Sequence, residues 1–344
     1  MTVMRAGTNT AADVEAVEEI MRRGGPLLRE RMARAEVHLE SVTAEAGTPL
    51  AAYATATILA GGKRLRPLLV VLAAESAGGP GKEPELERRL VRAAVAVELV
   101  HSATLVHDDL IDGARLRRGR PTVASVAGRE AAIATGDLLF SRAFAELARN
   151  GDAEQLRALS DASSALAAGE LLQREDAYAS DITVERYFER CRLKTAALFE
   201  AACRLGALVA VEGTTTLAGA LGDFARHIGL AFQLLDDVLD VSGPPQRTGK
   251  ARGTDLLDGT VTLPLILARQ RDEQIASLDL ATLAGPAQAE ILCERIAATG
   301  ALDDARERAL SIVADAKAAL PASLSDGRYE LLDLLADAVV ERYC

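Results

Sequence analysis

Leu105-Val-His-Asp-Asp-Leu-Ile-Asp112 and Phe232-Gln-Leu-Leu-Asp-Asp-Val-Leu-Asp240 are the two stretches on which the reading of this chain turns. Each holds three carboxylates in five residues: Asp108, Asp109 and Asp112 in the first, Asp236, Asp237 and Asp240 in the second. Both are embedded in Leu, Val and Ile at helical spacing, so both are expected on apolar α-helices. Residues four apart on a helix lie one above the other, which stacks Asp108 on Asp112 and Asp236 on Asp240. Like charges so placed weaken a helix unless cations bridge them. Hard divalent ions with oxygen ligands, Mg²⁺ above all, suit that role and are usually shared with substrate phosphates. The alternative is a pair of solvated acidic faces. A single motif leaves that choice open. Two copies 128 residues apart (236 − 108) favour cations, because surface charge does not normally sit in runs this apolar.

Working outward, 344 residues suffice for one large domain or two ordinary ones. Apolar residues make up 49%, aromatics only 3%, and Trp is absent, so small side chains must pack the core. A net charge of −11 argues against a nucleic-acid partner, which needs a basic face. The cysteines (Cys191, Cys203, Cys293, Cys344) show neither a CxxC pair nor the spacing of a disulfide framework, and are expected to be reduced packing residues. Residues 1–10 lack the apolar centre of a signal peptide, and no run reads as the ~18 apolar residues of a membrane span. A cytoplasmic protein is expected.

Apolar periodicity and Gly/Pro breaks predict helices over 11–23, 27–45, 49–60, 68–78, 85–112, 129–150, 155–178, 187–211 and 214–241. Residues 265–344 add amphipathic helices without legible chemistry. Between them lie basic segments. In Gly61-Gly-Lys-Arg-Leu-Arg-Pro67, two glycines allow close backbone approach and three cations stand at a helix N-terminus, which makes an anion site. Ordinary helix punctuation with solvated charges is the alternative. Glu98 and His101 form an ExxH pair, but a di-iron bundle needs a second pair and two further Glu, and His38, His107 and His227 do not supply one. A hydrogen-bonded core histidine remains open for His101. Arg115, Arg117, Arg118 and Arg120 follow the first acidic cluster directly. A diphosphate needs metals on one side and arginine forks on the other, although these arginines could equally pair with the aspartates. Lys194, in apolar surroundings, must snorkel or find an anion.

Two DDxxD motifs in an all-helical chain resemble the trans-isoprenyl diphosphate synthases, or polyprenyl synthetases. The other segments match too: GGKxxRP at 61–67, RRGxPT at 117–122, GDxLF at 136–140, GExxQ at 169–173, Lys194-Thr195 and Phe232-Gln233. The resemblance covers most of the chain. It implies an all-α fold, one large helical bundle of isoprenoid synthase type around a central apolar cavity, with residues 1–344 as a single domain. It implies a prenyltransferase that ionises an allylic diphosphate and joins the resulting cation to isopentenyl diphosphate, using Mg²⁺ (three ions with substrate bound). Asp108, Asp112 and Asp236 would be direct metal ligands, with Asp109, Asp237 and Asp240 acting directly or through water. Isopentenyl diphosphate would be held by Lys63, Arg66, His101 and Arg118, with Arg64 a weaker candidate. The allylic diphosphate would be held by Arg117, Lys194, Thr195, Gln233 and Lys250. A homodimer is expected, with transient membrane association to release product. One position departs from the pattern: Thr260 stands where many members carry a second lysine.

In this family the product grows along the stretch before the first DDxxD. Here that stretch holds Val97, Val100, Ala103 and Thr104, none aromatic. An open floor implies a product longer than fifteen carbons, in the range of thirty to fifty. Phe140 and Phe144 could instead close the tunnel and give a geranylgeranyl product, or simply be core. A class I terpene cyclase would carry a different second metal motif. A partner-dependent subunit of a two-subunit synthase is the other alternative, although such a subunit would be expected to lose aspartates or arginines that this chain keeps.

Overall fold

Leu, Val and Ala at helical spacing are realised almost wholly as helices in the computed structural model, which describes residues 11–44, 49–81, 83–210, 213–243, 252–321, 324 and 326–341. These are α1 (Ala11–Arg23), α2 (Gly25–Ala44), α3 (Pro49–Leu59), α4 (Leu65–Ser76), α5 (Pro84–Ile111), α6 (Val123–Ala148), α7 (Ala153–Glu175) and α8 (Val184–Cys191). A π-helical turn (Arg192–Ala196) leads into α9 (Ala197–Val209), followed by α10 (Thr215–Ser242), α11 (Thr254–Leu257), α12 (Leu263–Arg269) and α13 (Glu273–Ala276). A 3₁₀ turn (Leu280–Thr282) precedes α14 (Pro286–Ala298), α15 (Ala301–Ala318) and α16 (Asp326–Glu341). Among the described residues the strands are β1 (Leu116–Arg117) and β2 (Arg120–Pro121). The all-α expectation is borne out.

The chain packs as two compact units. One comprises Met1–Ser163, Leu198–Ala225 and Leu320–Leu335; the other comprises Ser164–Ala197, Arg226–Ala319 and Ala336–Cys344. In the first, α5 is the core helix: every residue from Ala93 to Val100 is buried. It is long and apolar enough to cross a membrane, contrary to the reading of the sequence, yet two thirds of its apolar window is buried inside the fold. Small residues bring neighbouring helices close. A Cβ at Gly136 of α6 would fall on the His107 ring of α5, and one at Gly206 of α9 would fall on the Val70 carbonyl of α4. Leu68, Leu69, Leu72, Leu90, Leu99 and Leu139 are fully buried, each worth about 1.5–3 kcal/mol.

Helix starts differ from expectation for local reasons: α8 begins at Val184, three residues early, capped by Thr183 Oγ1 accepting from the Arg186 N–H. α4 begins at Leu65, with Pro67 tolerated inside its first turn. α6 begins at Val123, where Thr122 Oγ1 accepts from the Ser125 N–H at 3.1 Å, and a non-helical Gly128 (φ 86°, ψ 178°) then kinks it. That glycine hid the first turn from the periodicity. In the second unit α12 is buried throughout from Leu263 to Ala268. Cys191, Cys203 and Cys293 are buried free thiols, as expected.

Candidate active site

The first aspartate cluster closes α5: the Asp112 N–H donates to the Asp108 carbonyl at 2.8 Å and Asp112 caps the helix. Acids at a helix C-terminus face the negative end of the macrodipole, which costs about 0.3–1 kcal/mol per charge, and no basic residue sits in the last turn to offset it. The three carboxylates differ in surroundings. Asp109 is buried and accepts from Arg117 Nε at 2.6 Å, whereas Asp108 is half-buried and Asp112 exposed.

The arginine-rich segment behind them is a β-hairpin, with Arg117 paired to Arg120. Both turn residues, Arg118 (φ 53°) and Gly119 (φ 72°), have positive φ, the requirement of a type I′ turn. Gly119 adopts it freely; Arg118 is strained by about 1–2 kcal/mol. The signal was a glycine after one turn residue between two short runs, read from sequence only as a cationic loop. The turn lays the Arg118 guanidinium over the backbone of Gly62, where a Cβ would come within 2.9 Å of Nη1.

The basic loop before α4 divides its arginines by role. Arg64 (φ 51°) is fully engaged, donating to Glu36 and Glu98 at 2.8 Å and to the Ile58 carbonyl at 2.9 Å. Burial works against its charge, but Glu98 and Glu36 outweigh it and raise its pKa. It is a brace. Arg66 lies 5.0 Å over the Phe199 ring, and its Nε has no hydrogen-bond partner among the described residues. Burial pushes Arg66 down to about 10, with Glu98 opposing and Arg118 adding to the shift. Arg118 is lowered in the same way, by burial and by Arg64 and Arg117 against the pull of Glu98. His101 is held well below its ordinary value by burial, then by Arg66, Arg118, Arg117 and Arg64. It is therefore neutral near pH 7. A cavity of about 300 Å³ opens here, its lining including Ala60, Glu98, His101, Leu105, Arg118 and Val123. Arg117, Arg118 and Arg120 line it beside a neutral imidazole, while Glu98 is bonded to Arg64, so the cavity offers donors suited to an anion. Lys63 is half-buried on the same loop.

The His101 shift has a consequence for stability. Below the unfolded-state pKa of about 6.5 the unfolded chain takes a proton that the folded His101 refuses, so stability falls on acidification by up to about 1.4 kcal/mol per pH unit. His101→Gln is expected to flatten the fall of the melting temperature between pH 6.5 and 5, measured against wild type. An unchanged slope would refute a neutral imidazole.

The second cluster lies in the last two turns of α10, with Asp240 in its final turn. Asp236 is exposed, Asp240 half-buried and Asp237 buried. Asp237 Oδ2 accepts from the Tyr187 hydroxyl and Oδ1 from Gln233 Nε2, both at 2.7 Å. Gln233 Oε1 in turn accepts from Thr195 Oγ1 at 2.7 Å. Burial pushes Asp237 up to about 7, with its two donors pulling the other way. Asp240 accepts the Gly253 N–H on its carbonyl at 2.9 Å and the Asp255 N–H on Oδ2 at 3.2 Å.

Lys194 and Thr195 sit on the π-helical turn, a distortion frequent at functional sites. Sequence periodicity predicts one unbroken helix there. Gly169 of α7 makes room for the turn, since a Cβ would stand 2.6 Å from the Lys194 nitrogen. Its neighbour Glu170, to which the sequence assigned no role, accepts from Lys194 Nζ and from Arg174 Nε at 3.2 Å. Lys250 lies outside the described residues. The segment around Thr260 is held by its main chain: the Thr260 N–H donates to the Asp255 carbonyl at 2.8 Å, Gly259 accepts from the Tyr178 N–H at 2.8 Å, and Val261 accepts from Arg190.

Of the residues expected to set product length, Val97, Val100 and Ala103 are wholly buried, while Thr104, Phe140 and Phe144 are half-buried. The Phe140 ring centroid lies 6.0 Å from that of His107.

Among the described residues no group of three or more His, Cys, Asp or Glu converges closely enough to cage a metal. Mg²⁺ seldom needs such a cage: it keeps water and takes one or two carboxylates with substrate phosphates. The hard oxygen donors Asp108, Asp112 and Asp236 fit that ion.

The chain belongs to the polyprenyl synthetase family, a family of prenyltransferases, whose model matches residues 48–296. Heptaprenyl diphosphate synthase component 2 of Geobacillus stearothermophilus is 40% identical over 248 residues, 72% of this chain and 75% of that protein. Octaprenyl diphosphate synthase of Escherichia coli is 36% identical over 286 residues, 82% of this chain and 86% of that protein. The crystal structure of a decaprenyl diphosphate synthase from Rhodobacter capsulatus matches with a TM-score of 0.85 at 32% identity, over 95% of this chain and 99% of that one.

Proposed function

We propose that the protein is a trans-polyprenyl diphosphate synthase that adds isopentenyl diphosphate head to tail to an allylic diphosphate. The observation that carries this is the cavity that brings Arg117, Arg118 and His101 together beside Asp109 of the first aspartate cluster. Lys63, Arg66 and Arg118 bind the isopentenyl diphosphate; His101, uncharged, contributes a single hydrogen bond. Arg117, Lys194, Thr195, Gln233 and Lys250 bind the allylic diphosphate, Arg117 exchanging Asp109 for it and Lys194 exchanging Glu170. Asp108, Asp112 and Asp236 would hold Mg²⁺, three ions with substrate bound, together with the substrate phosphates. When bound, Mg²⁺ supplies positive charge that stabilises a departing diphosphate. Residues 1–344 act as one catalytic domain, in a cytoplasmic homodimer that meets a membrane transiently to release product.

The product falls in the range of thirty to fifty carbons, supported by the small side chains at Val97, Val100, Ala103 and Thr104 and by the heptaprenyl, octaprenyl and decaprenyl synthases it resembles. Thr104 is the half-buried member on the Asp108 face of α5. Thr104→Phe is expected to shorten the longest product by several isoprene units, read by mass spectrometry. Ala103→Tyr should shorten it too, at a cost in stability from overpacking a fully buried site. An unchanged product spectrum for both variants would remove this stretch from length control.

The deciding assay combines purified protein, Mg²⁺, isopentenyl diphosphate and geranyl, farnesyl or geranylgeranyl diphosphate in turn. A ladder ending at one length supports the reading. No extension with any primer favours a second reading, a subunit that needs a partner, because the Geobacillus relative is named as a component.

A further inference from the structure

Tyr187 is completely buried, yet it carries a hydroxyl that must be satisfied inside the protein. The hydroxyl is spent on Asp237 at 2.7 Å. With Gln233 on the other oxygen, both oxygens of this carboxylate are engaged, and the chain continues through Gln233 to Thr195. Four side chains from α8, the π-helical turn and α10 thus form one hydrogen-bonded line. The tyrosine ring is itself held from behind. Arg190 stacks 5.5 Å from its centroid and also bonds the Val261 carbonyl, and Phe188 meets it edge-on at 5.6 Å.

Successive helical residues point about 100° apart. Tying Asp237 inward therefore fixes the rotation of the end of α10 and turns its neighbour Asp236 outward, where it is exposed. The same line holds the π-helical turn that carries Lys194 in register with that helix end.

We propose that Tyr187 is a positioning residue of the second aspartate cluster: it makes Asp237 an internal strut, and so presents Asp236 to cations and Lys194 to the allylic diphosphate. This rests on the synthase reading above. Outer-shell partners of this kind are worth about 10- to 100-fold in metal affinity or activity.

The test is Tyr187→Phe, which removes one oxygen and keeps the ring. Binding is read apart from turnover, as the Mg²⁺ concentration giving half of the thermal stabilisation by inorganic pyrophosphate. The expected result is a rise of about tenfold or more in that concentration, a matching fall in kcat, and an unchanged KM for isopentenyl diphosphate. In the Asp237→Ala background, where the acceptor is already gone, Tyr187→Phe should add little further loss, because both act through one contact. A wild-type Mg²⁺ requirement in Tyr187→Phe, or fully additive losses, would overturn the proposal. Should Tyr187→Phe not fold, Asp237→Asn against Asp236→Asn still decides. Asp237→Asn keeps an amide oxygen that can accept from Tyr187, so its Mg²⁺ requirement should rise less than that of Asp236→Asn; an equal or larger rise makes Asp237 a ligand and refutes the strut. If wild type is stabilised by pyrophosphate and Mg²⁺ but extends no primer, the synthase reading fails while these comparisons still judge Tyr187. No Mg²⁺-dependent stabilisation of wild type would overturn both.

Discussion

Replacing Asp108 with asparagine is expected to lower kcat about a hundred- to a thousandfold and, in metal-free protein, to raise the melting temperature. The two effects share one cause. Asp108 stands one turn before Asp112 at the C-terminal end of α5, so it meets both a like charge and the negative pole of the helix. Neutralising it relieves about 0.5–1 kcal/mol, or roughly 1–3 °C in a chain of this size. The same change removes a hard anionic oxygen from the cation site, and losing one preorganised electrostatic contact in an active site costs about 10²–10³ in turnover. Turnover and apo melting temperature moving in opposite directions would identify a carboxylate kept for function at the expense of stability. A variant of unchanged activity would return the cluster to a solvated acidic face.

Gly206→Ala should be the most disruptive single methyl in the first unit. The added carbon would fall on the Val70 carbonyl, 2.8 Å from its carbon, so α9 and α4 would have to separate because no flexible side chain can yield. Overpacking against backbone should cost about 3 kcal/mol or more, lowering the melting temperature by roughly 10 °C or preventing soluble expression. Gly219→Ala is the control. It sits within α10 with nothing inside 4 Å of the new carbon, and a helical alanine there should stabilise by up to about 1 kcal/mol. Thermal melts of both variants check the pair; a tolerated Gly206→Ala would mean that the α4–α9 crossing is looser than its geometry indicates.

The helices were legible because burial imposes the helical period on any sequence that packs this way, and α5 and α10 announced themselves through apolar runs ending in aspartate. The arginines and lysines were legible as candidates but not as individuals. Arg64 and Arg66 are two residues apart in one loop, yet one is consumed bracing Glu36 and Glu98 while the other has an Nε without a hydrogen-bond partner among the described residues. The left-handed backbone at Arg64 that separates them leaves no mark on periodicity. The same holds for the type I′ hairpin that aims Arg118, and for the π-helical turn that aims Lys194 and Thr195. Glu170 and Tyr187 received no role from the sequence because each is defined by a partner distant in it.

By itself, then, the sequence determined the all-α class, the two carboxylate clusters and the cationic segments around them, since composition, spacing and helical period are local properties. Tertiary structure alone decided which of those charges are buried within the fold and which stand at its surface. Asp109 goes to Arg117 and Asp237 to Tyr187, whereas Asp112 and Asp236 remain exposed. The reason is physical: a charge is neutralised by whatever lies within a few ångströms of it, and only folding sets that distance.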